Sequence, residues 1–114
     1  MSVVETYIRA WQERDPDVRA RLLEQCFAAE GRFVTRNRVF QGRAALAQLM
    51  ARTHADPELV AIRVVGAIDA VGKTFRFRAV VDRTDGTSPE TLEAGELDDA
   101  GLIATVLTFT GPLA

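Results

Sequence analysis

Three residue types able to hold or move a proton occur once each: Tyr7, Cys26 and His54. Tyr7 shares a helical face with Val4, Ile8 and Trp11. A phenol aimed into an apolar pocket can donate to a substrate carbonyl, whose charge grows in the transition state. The same phenol could equally be a core tyrosine reaching a backbone carbonyl. His54 lies at the end of a helical run, beside Ala55 and Asp56. It reads either as an acid/base group at a pocket mouth or as an exposed residue complementing the helix dipole. Glu93 sits in an alternating stretch and shares a face with Thr91, Gly95 and Leu97. Ionised, it is a general base. To donate a proton near neutrality it must rise from about 4.3 to above 7, which takes on the order of 4 kcal/mol of desolvation. A third reading is a solvated carboxylate or a salt bridge to Arg76 or Arg78.

Other chemistries lack their residues. There is no H-x-x-E or C-x-x-C spacing for a metal, no G-x-S-x-G and no glycine-rich phosphate loop. No metal and no cofactor is expected.

The elements that must position these groups follow from one change of hydrophobic period. Before about residue 57 apolar residues recur every three to four positions; after it they alternate. In KTFRFRAVVDRT, residues 73–84, Phe75, Phe77, Ala79 and Val81 share one face while Arg76, Arg78, Val80 and Asp82 share the other. Ser2 and Glu5 have capping-box spacing, so a helix starts there. Asp15 caps a second helix with Pro16 in its first turn, striped by Val18, Leu22 and Cys26, with Arg14, Arg19 and Arg21 on its wet side. Gly31 is expected to end that helix, Arg32–Thr35 to form a short strand, and Phe40-Gln41-Gly42 to turn into a third helix carrying Leu46, Leu49, Met50 and Thr53. Pro57 closes it.

Four strands are predicted next, over about Leu59–Ala70 with a bulge at Gly66, Lys73–Thr84, Glu90–Leu97 and Leu102–Thr110. Asp85-Gly86 marks a hairpin. Helices first and strands after predict an α+β domain, with three helices on one face of a curved antiparallel sheet and a cone that can stay open at one end.

The chain has 114 residues, 47% apolar and 26% charged, with a net charge of −2. That fits one globular domain over residues 1–114. The charge predicts no nucleic-acid partner, and nothing predicts a membrane surface or span. A lone cysteine and no signal-peptide pattern point to a cytoplasmic setting.

The order of Y-x-x-A-W-x-x-x-D (Tyr7, Ala10, Trp11, Asp15), G-R-A-A-L (Gly42 to Leu46), D-A-G-L-I (through Gly101 and Ile103) and T-F-T-G (with Phe109) resembles the nuclear-transport-factor-2-like superfamily, and within it the SnoaL-like branch. The resemblance spans nearly the whole chain. It implies a cystatin-like conical barrel, often dimeric, with a pocket between helices and sheet. The superfamily includes ketosteroid isomerase, polyketide cyclases, scytalone dehydratase and limonene epoxide hydrolase, so fold does not settle function.

The resemblance places Tyr7 where the isomerase has its oxyanion-binding tyrosine and Glu93 where it has a neutral carboxylic acid, a pair that is a standard illustration of pKa tuning. It places Thr35 where the isomerase has its catalytic aspartate. Threonine cannot shuttle a proton, and Arg36 follows where a proline is common, which disfavours steroid-isomerase chemistry. The only R-x-D, Arg83-Thr84-Asp85, falls at a predicted turn and disfavours epoxide hydrolysis. Trp11, Phe33, Phe75, Phe77 and Phe109 are candidates to line a cavity or plain core, and Thr35 joins them as a lining candidate. The sheet face with Arg76, Arg78 and Val80 suits a homodimer interface or water. Three functions stay open: a domain binding a small apolar molecule; an isomerase, cyclase or dehydratase acting on a carbonyl or enol through Tyr7 and Glu93, with Glu93 or His54 moving the proton; and a non-catalytic structural or interaction module.

Overall fold

A computed structural model describes residues 2–111. The order is α1 (Val3–Gln12), α2 (Pro16–Cys26), β1 (Phe27–Val34), β2 (Val39–Gln41), α3 (Arg43–Ala55), β3 (Leu59–Val71), β4 (Thr74–Arg83), β5 (Glu90–Leu97) and β6 (Ile103–Thr110). The six strands form one sheet in the order β2-β1-β6-β5-β4-β3. All three helices pack on one face of it, so the α+β class holds. Among the described residues no helix is long and apolar enough to cross a membrane.

The local signals act as their chemistry requires. Ser2 and Glu5 close a reciprocal capping box on α1. The Asp15 carboxylate accepts from the amides of Asp17 and Val18 at the start of α2, with Pro16 in the first turn. Gly66 and Gly72 take positive φ, 79° and 60°. The first lies in the register shift between Val65 and Asp69, the second in the β3–β4 turn.

Three expectations need correction. The sheet is mixed, not antiparallel throughout: β3 to β6 form an antiparallel meander, but β1 runs parallel to β6. Alternation reports which face a residue takes, not which way a distant partner strand runs. Gly31 does not end α2, which stops at Cys26 with Phe27 as its C-cap. It lies inside β1, where an added Cβ would come 2.6 Å from the Phe27 ring, so glycine is there to admit that ring. Phe40 and Gln41 are not a turn but β2, paired with Phe33 and Arg32.

Arg19 also departs from expectation. It is buried, and its guanidinium donates to the Glu13 carbonyl at 2.9 Å, tying α2 to the end of α1. Polar ties likewise anchor the other ends. Arg43 donates twice to the Phe27 carbonyl, fixing the start of α3 on β1. Gln12 and Arg14 donate to the carbonyls of Ile62 and Val60 on edge strand β3.

Candidate functional site

Tyr7 and Glu93 meet. The Tyr7 hydroxyl donates to Glu93 Oε1 at 3.0 Å, and both side chains are buried, Tyr7 completely. Helix α1 supplies the tyrosine because positions 4, 7, 8 and 11 share its inner face. Strand β5 supplies the glutamate because inner positions alternate: Thr91, Glu93 and Gly95 point the same way. The Tyr7 ring is fixed between Phe27, stacked with centroids 6.2 Å apart, and Phe77, edge-on at 6.3 Å.

A partly enclosed cavity of about 180 Å³ lies against Glu93. Its apolar wall comes from α1 (Ile8, Trp11), β1 (Phe33), β3 (Ile62, Val64) and β4 (Phe77, Ala79, Val81). Its polar side comprises Thr53, Thr91, Glu93 and Thr108, so Glu93 is the one ionisable residue on the wall among those described.

Burial pushes the Glu93 carboxyl up to about 7, against the Tyr7 hydrogen bond, which favours the carboxylate. The phenol is held well above its ordinary value of 10, first by burial and then by the negative charge of Glu93. Near neutrality Glu93 is therefore divided between acid and base forms, while Tyr7 keeps its proton. The Trp11 indole lies near enough to the Tyr7 hydroxyl to favour phenolate slightly, yet its N–H meets no partner in hydrogen-bond geometry.

The remaining expected residues divide. Trp11, Phe33 and Phe77 are on the cavity wall; Thr35, Phe75, Phe109 and His54 are not. The Thr35 hydroxyl turns to the Arg38 carbonyl in the β1–β2 connection, and the residue borders a separate surface depression with Arg36 and Phe109. Phe109 takes the outer face of β6 and is 42% exposed. Phe75 stacks on Phe77 and occupies the space over Gly95, where an added Cβ would lie 2.5 Å from its ring. His54 Nε2 lies 2.7 Å from the Trp11 carbonyl, so the imidazole joins the end of α3 to α1.

Tyr7 itself is not on the wall. Its hydroxyl proton goes to Glu93 Oε1. Thr53 and Thr108 are wall residues to which sequence reasoning assigned no site role. The T-F-T-G segment contained the signal for Thr108, but its use requires the β5–β6 register.

Fold and site together define the class: a cone-shaped α+β domain with a side pocket, the architecture of nuclear-transport-factor-2-like and SnoaL-like proteins. A crystal structure of a candidate isomerase of the SnoaL-like family from Agrobacterium tumefaciens str. C58 superposes with a TM-score of 0.84 at 25% identity, over 96% of this chain and 95% of that one. A candidate SnoaL-like polyketide cyclase from Jannaschia sp. CCS1 gives 0.71 at 16% identity, over 95% and 84%. A de novo designed protein with a curved β-sheet gives 0.77 at 16% identity, over 96% and 83%. No family model matches the sequence, and no curated protein matches it. A designed chain on the same architecture underlines that activity must be argued from the cavity.

Proposed function

We propose that this SnoaL-like domain binds a small, mostly apolar molecule in the cavity and presents one polar atom of it to Glu93. The observation that carries the reading is a buried carboxyl, poised near pH 7, at the side of an otherwise uncharged pocket. Size narrows the ligand. An apolar cavity of about 150 Å³ takes a benzene-sized molecule, so 180 Å³ suits one substituted ring and not a steroid nucleus. Native mass spectrometry of the protein from its own host tests this directly: a retained ring-sized molecule is expected. No retained molecule, together with no response of the Trp11 indole resonance to any neutral ring compound, would end the reading.

A second reading, turnover, is favoured by the near-neutral Glu93 carboxyl. As carboxylate it would take a proton from carbon next to a carbonyl; as acid it would return one. Deuterium uptake at the α-carbon of a bound ketone, followed by NMR, should depend on a group of pKa about 7 and vanish in Glu93→Gln. Uptake that persists in that variant removes Glu93 from the chemistry.

A second copy of this chain is the partner we propose for the outer sheet face. Support comes from half-exposed Val65, Leu107 and Phe109 beside the Arg76–Asp69 ion pair. Sedimentation should give a dimer that Phe109→Asp dissociates; a monomer at all concentrations refutes it. The buried, unreactive Cys26 thiol, pushed up to about 12 by burial, suits the cytoplasm.

A further inference from the structure

Among the described residues, three buried side-chain polar atoms lack a hydrogen-bond partner: Trp11 Nε1, His54 Nδ1 and Thr108 Oγ1. Two of the three belong to residues on the cavity wall, Trp11 and Thr108. Buried polar groups in native proteins are nearly always paired, and leaving one unpaired costs stability. The Trp11 indole lies near the Tyr7 hydroxyl, which is off the wall, so it is the Thr108 hydroxyl that calls for an occupant the fold does not itself supply.

Strand pairing places one of them beside the carboxyl. Thr108 is the direct partner of Glu93 in the β5–β6 ladder. Opposite residues in an antiparallel pair point to the same face, with Cβ atoms about 5 Å apart. Thr108 shares its face of β6 with the fully buried Val106, so its hydroxyl is turned inward. Tyr7 takes Glu93 Oε1, which leaves Oε2 for a ligand. Hydroxyl and carboxyl thus stand side by side, within reach of one ligand atom.

The unpaired groups also restrict what that atom is. The Thr108 hydroxyl is able to donate, and so is Glu93 in its acid form. A hydrocarbon would leave both unmatched. A neutral acceptor oxygen, as in a ketone, lactone or ether, matches every donor. No cation lines the cavity to hold a ligand carboxylate.

We propose that Thr108 is a ligand-contacting, specificity-determining residue, which with Glu93 grips an acceptor oxygen on a ring-sized neutral ligand. This rests on the ligand-binding reading above and assigns the polar recognition within it.

The test uses two isosteric probes, acetophenone and α-methylstyrene, which differ by a carbonyl oxygen against a methylene. Binding to the full chain is followed by NMR at the indole N–H of Trp11, the sole tryptophan. Acetophenone should bind about tenfold tighter, the worth of one buried hydrogen bond. Thr108→Val should bring that ratio towards one without weakening α-methylstyrene. It should also leave the melting temperature unchanged or raised, since it removes an unpaired hydroxyl and keeps the shape. An unchanged ratio in Thr108→Val overturns the assignment, as does a lowered melting temperature, which would mark a structural hydrogen bond. Equal binding of both probes to the native chain refutes the acceptor rule yet leaves the ligand-binding reading intact. Binding of neither probe overturns both.

Discussion

One core, built from one set of amphipathic elements, is solid in one part and hollow in another. In the solid part Tyr7, Leu23, Phe27, Leu46, Met50, Ile103 and Val106 are at most 1% exposed. Long side chains from three helices meet the sheet there, and the glycines at 31 and 95 let Phe27 and Phe75 lie flat against backbone. In the hollow part the wall from β3 and β4 is Ile62, Val64, Phe77, Ala79 and Val81, completed by Ile8, Trp11, Phe33, Glu93 and three threonines. Apart from Phe77, the β3 and β4 side chains are short or branched, and the segment at the end of α1 is tied to β3 by the polar bonds of Gln12 and Arg14. Cavities persist where backbone spacing is set by such struts and the residues between are too small to fill it. Tyr7 and Glu93 straddle the boundary: the tyrosine belongs to the packed half, the glutamate to the empty one.

Truncation should break this contrast most sharply. Leu46→Ala in the solid part is expected to cost about 2–5 kcal/mol in chemical denaturation, because a void opens where nothing can collapse. Val81→Ala on the hollow wall should cost about 1 kcal/mol, since its methyls already border empty space. Equal losses would mean that the cavity collapses in solution.

The next effect is electrostatic and has a definite sign. Glu93 has a folded value of about 7, above its unfolded 4.5. The native state therefore binds the extra proton between these values, and stability falls as pH rises through that window. The contribution is fully present below pH 4.5 and lost above about 7, a swing of about 3 kcal/mol. Denaturation midpoints between pH 5 and 8 should show this fall in the native chain and a flatter profile in Glu93→Gln. Matching profiles would place the carboxyl in water.

Overfilling the solid half comes third. Gly95→Ala would put a Cβ 2.5 Å from both the Phe75 ring and the Thr105 carbonyl oxygen. Backbone cannot give way as a side-chain tip can, so a loss of about 1–3 kcal/mol is expected. Smallest is Tyr7→Phe, at about 1 kcal/mol for the lost bond to Glu93. That loss should be larger at pH 8 than at pH 5, because the carboxylate needs the donor more than the acid does. An unchanged stability at both pH values would show that the bond to Glu93 adds nothing.

Much of this was legible in the chain before any coordinates. Capping at Ser2 and Asp15, the stop before Pro57, the bulge at Gly66 and the span of β5 are local events, written in a few adjacent residues. The inward faces of α1 and β5 follow from periodicity, and the resemblance to the isomerase singles out Tyr7 and Glu93 on them. What could not be read is register over distance. Extending the Leu97–Ile103 pair would set Glu93 against Leu107; the shift between Glu96 and Leu97 sets it against Thr108 instead. One inserted residue exchanges the faces of a strand, and here it decides which side chain stands beside the carboxyl. That Thr35 and Phe75 lie off this cavity has a related reason. Alternation identifies an inner face but not the point along it where packing gives way to space.

Strand β6 pairs with β5 on one side and with β1 on the other, and it is the last strand among the described residues. On a ribosome, the elements from α1 to β5 would emerge with the β1 edge unsatisfied and the greasy sides of the helices uncovered. Only when the final ladder is threaded between the two sections can the cone close. Such wide sequence separation slows the search for the native arrangement and prolongs the period in which nascent chains can stick to one another. A domain assembled in this way would be expected to lean on chaperones during synthesis.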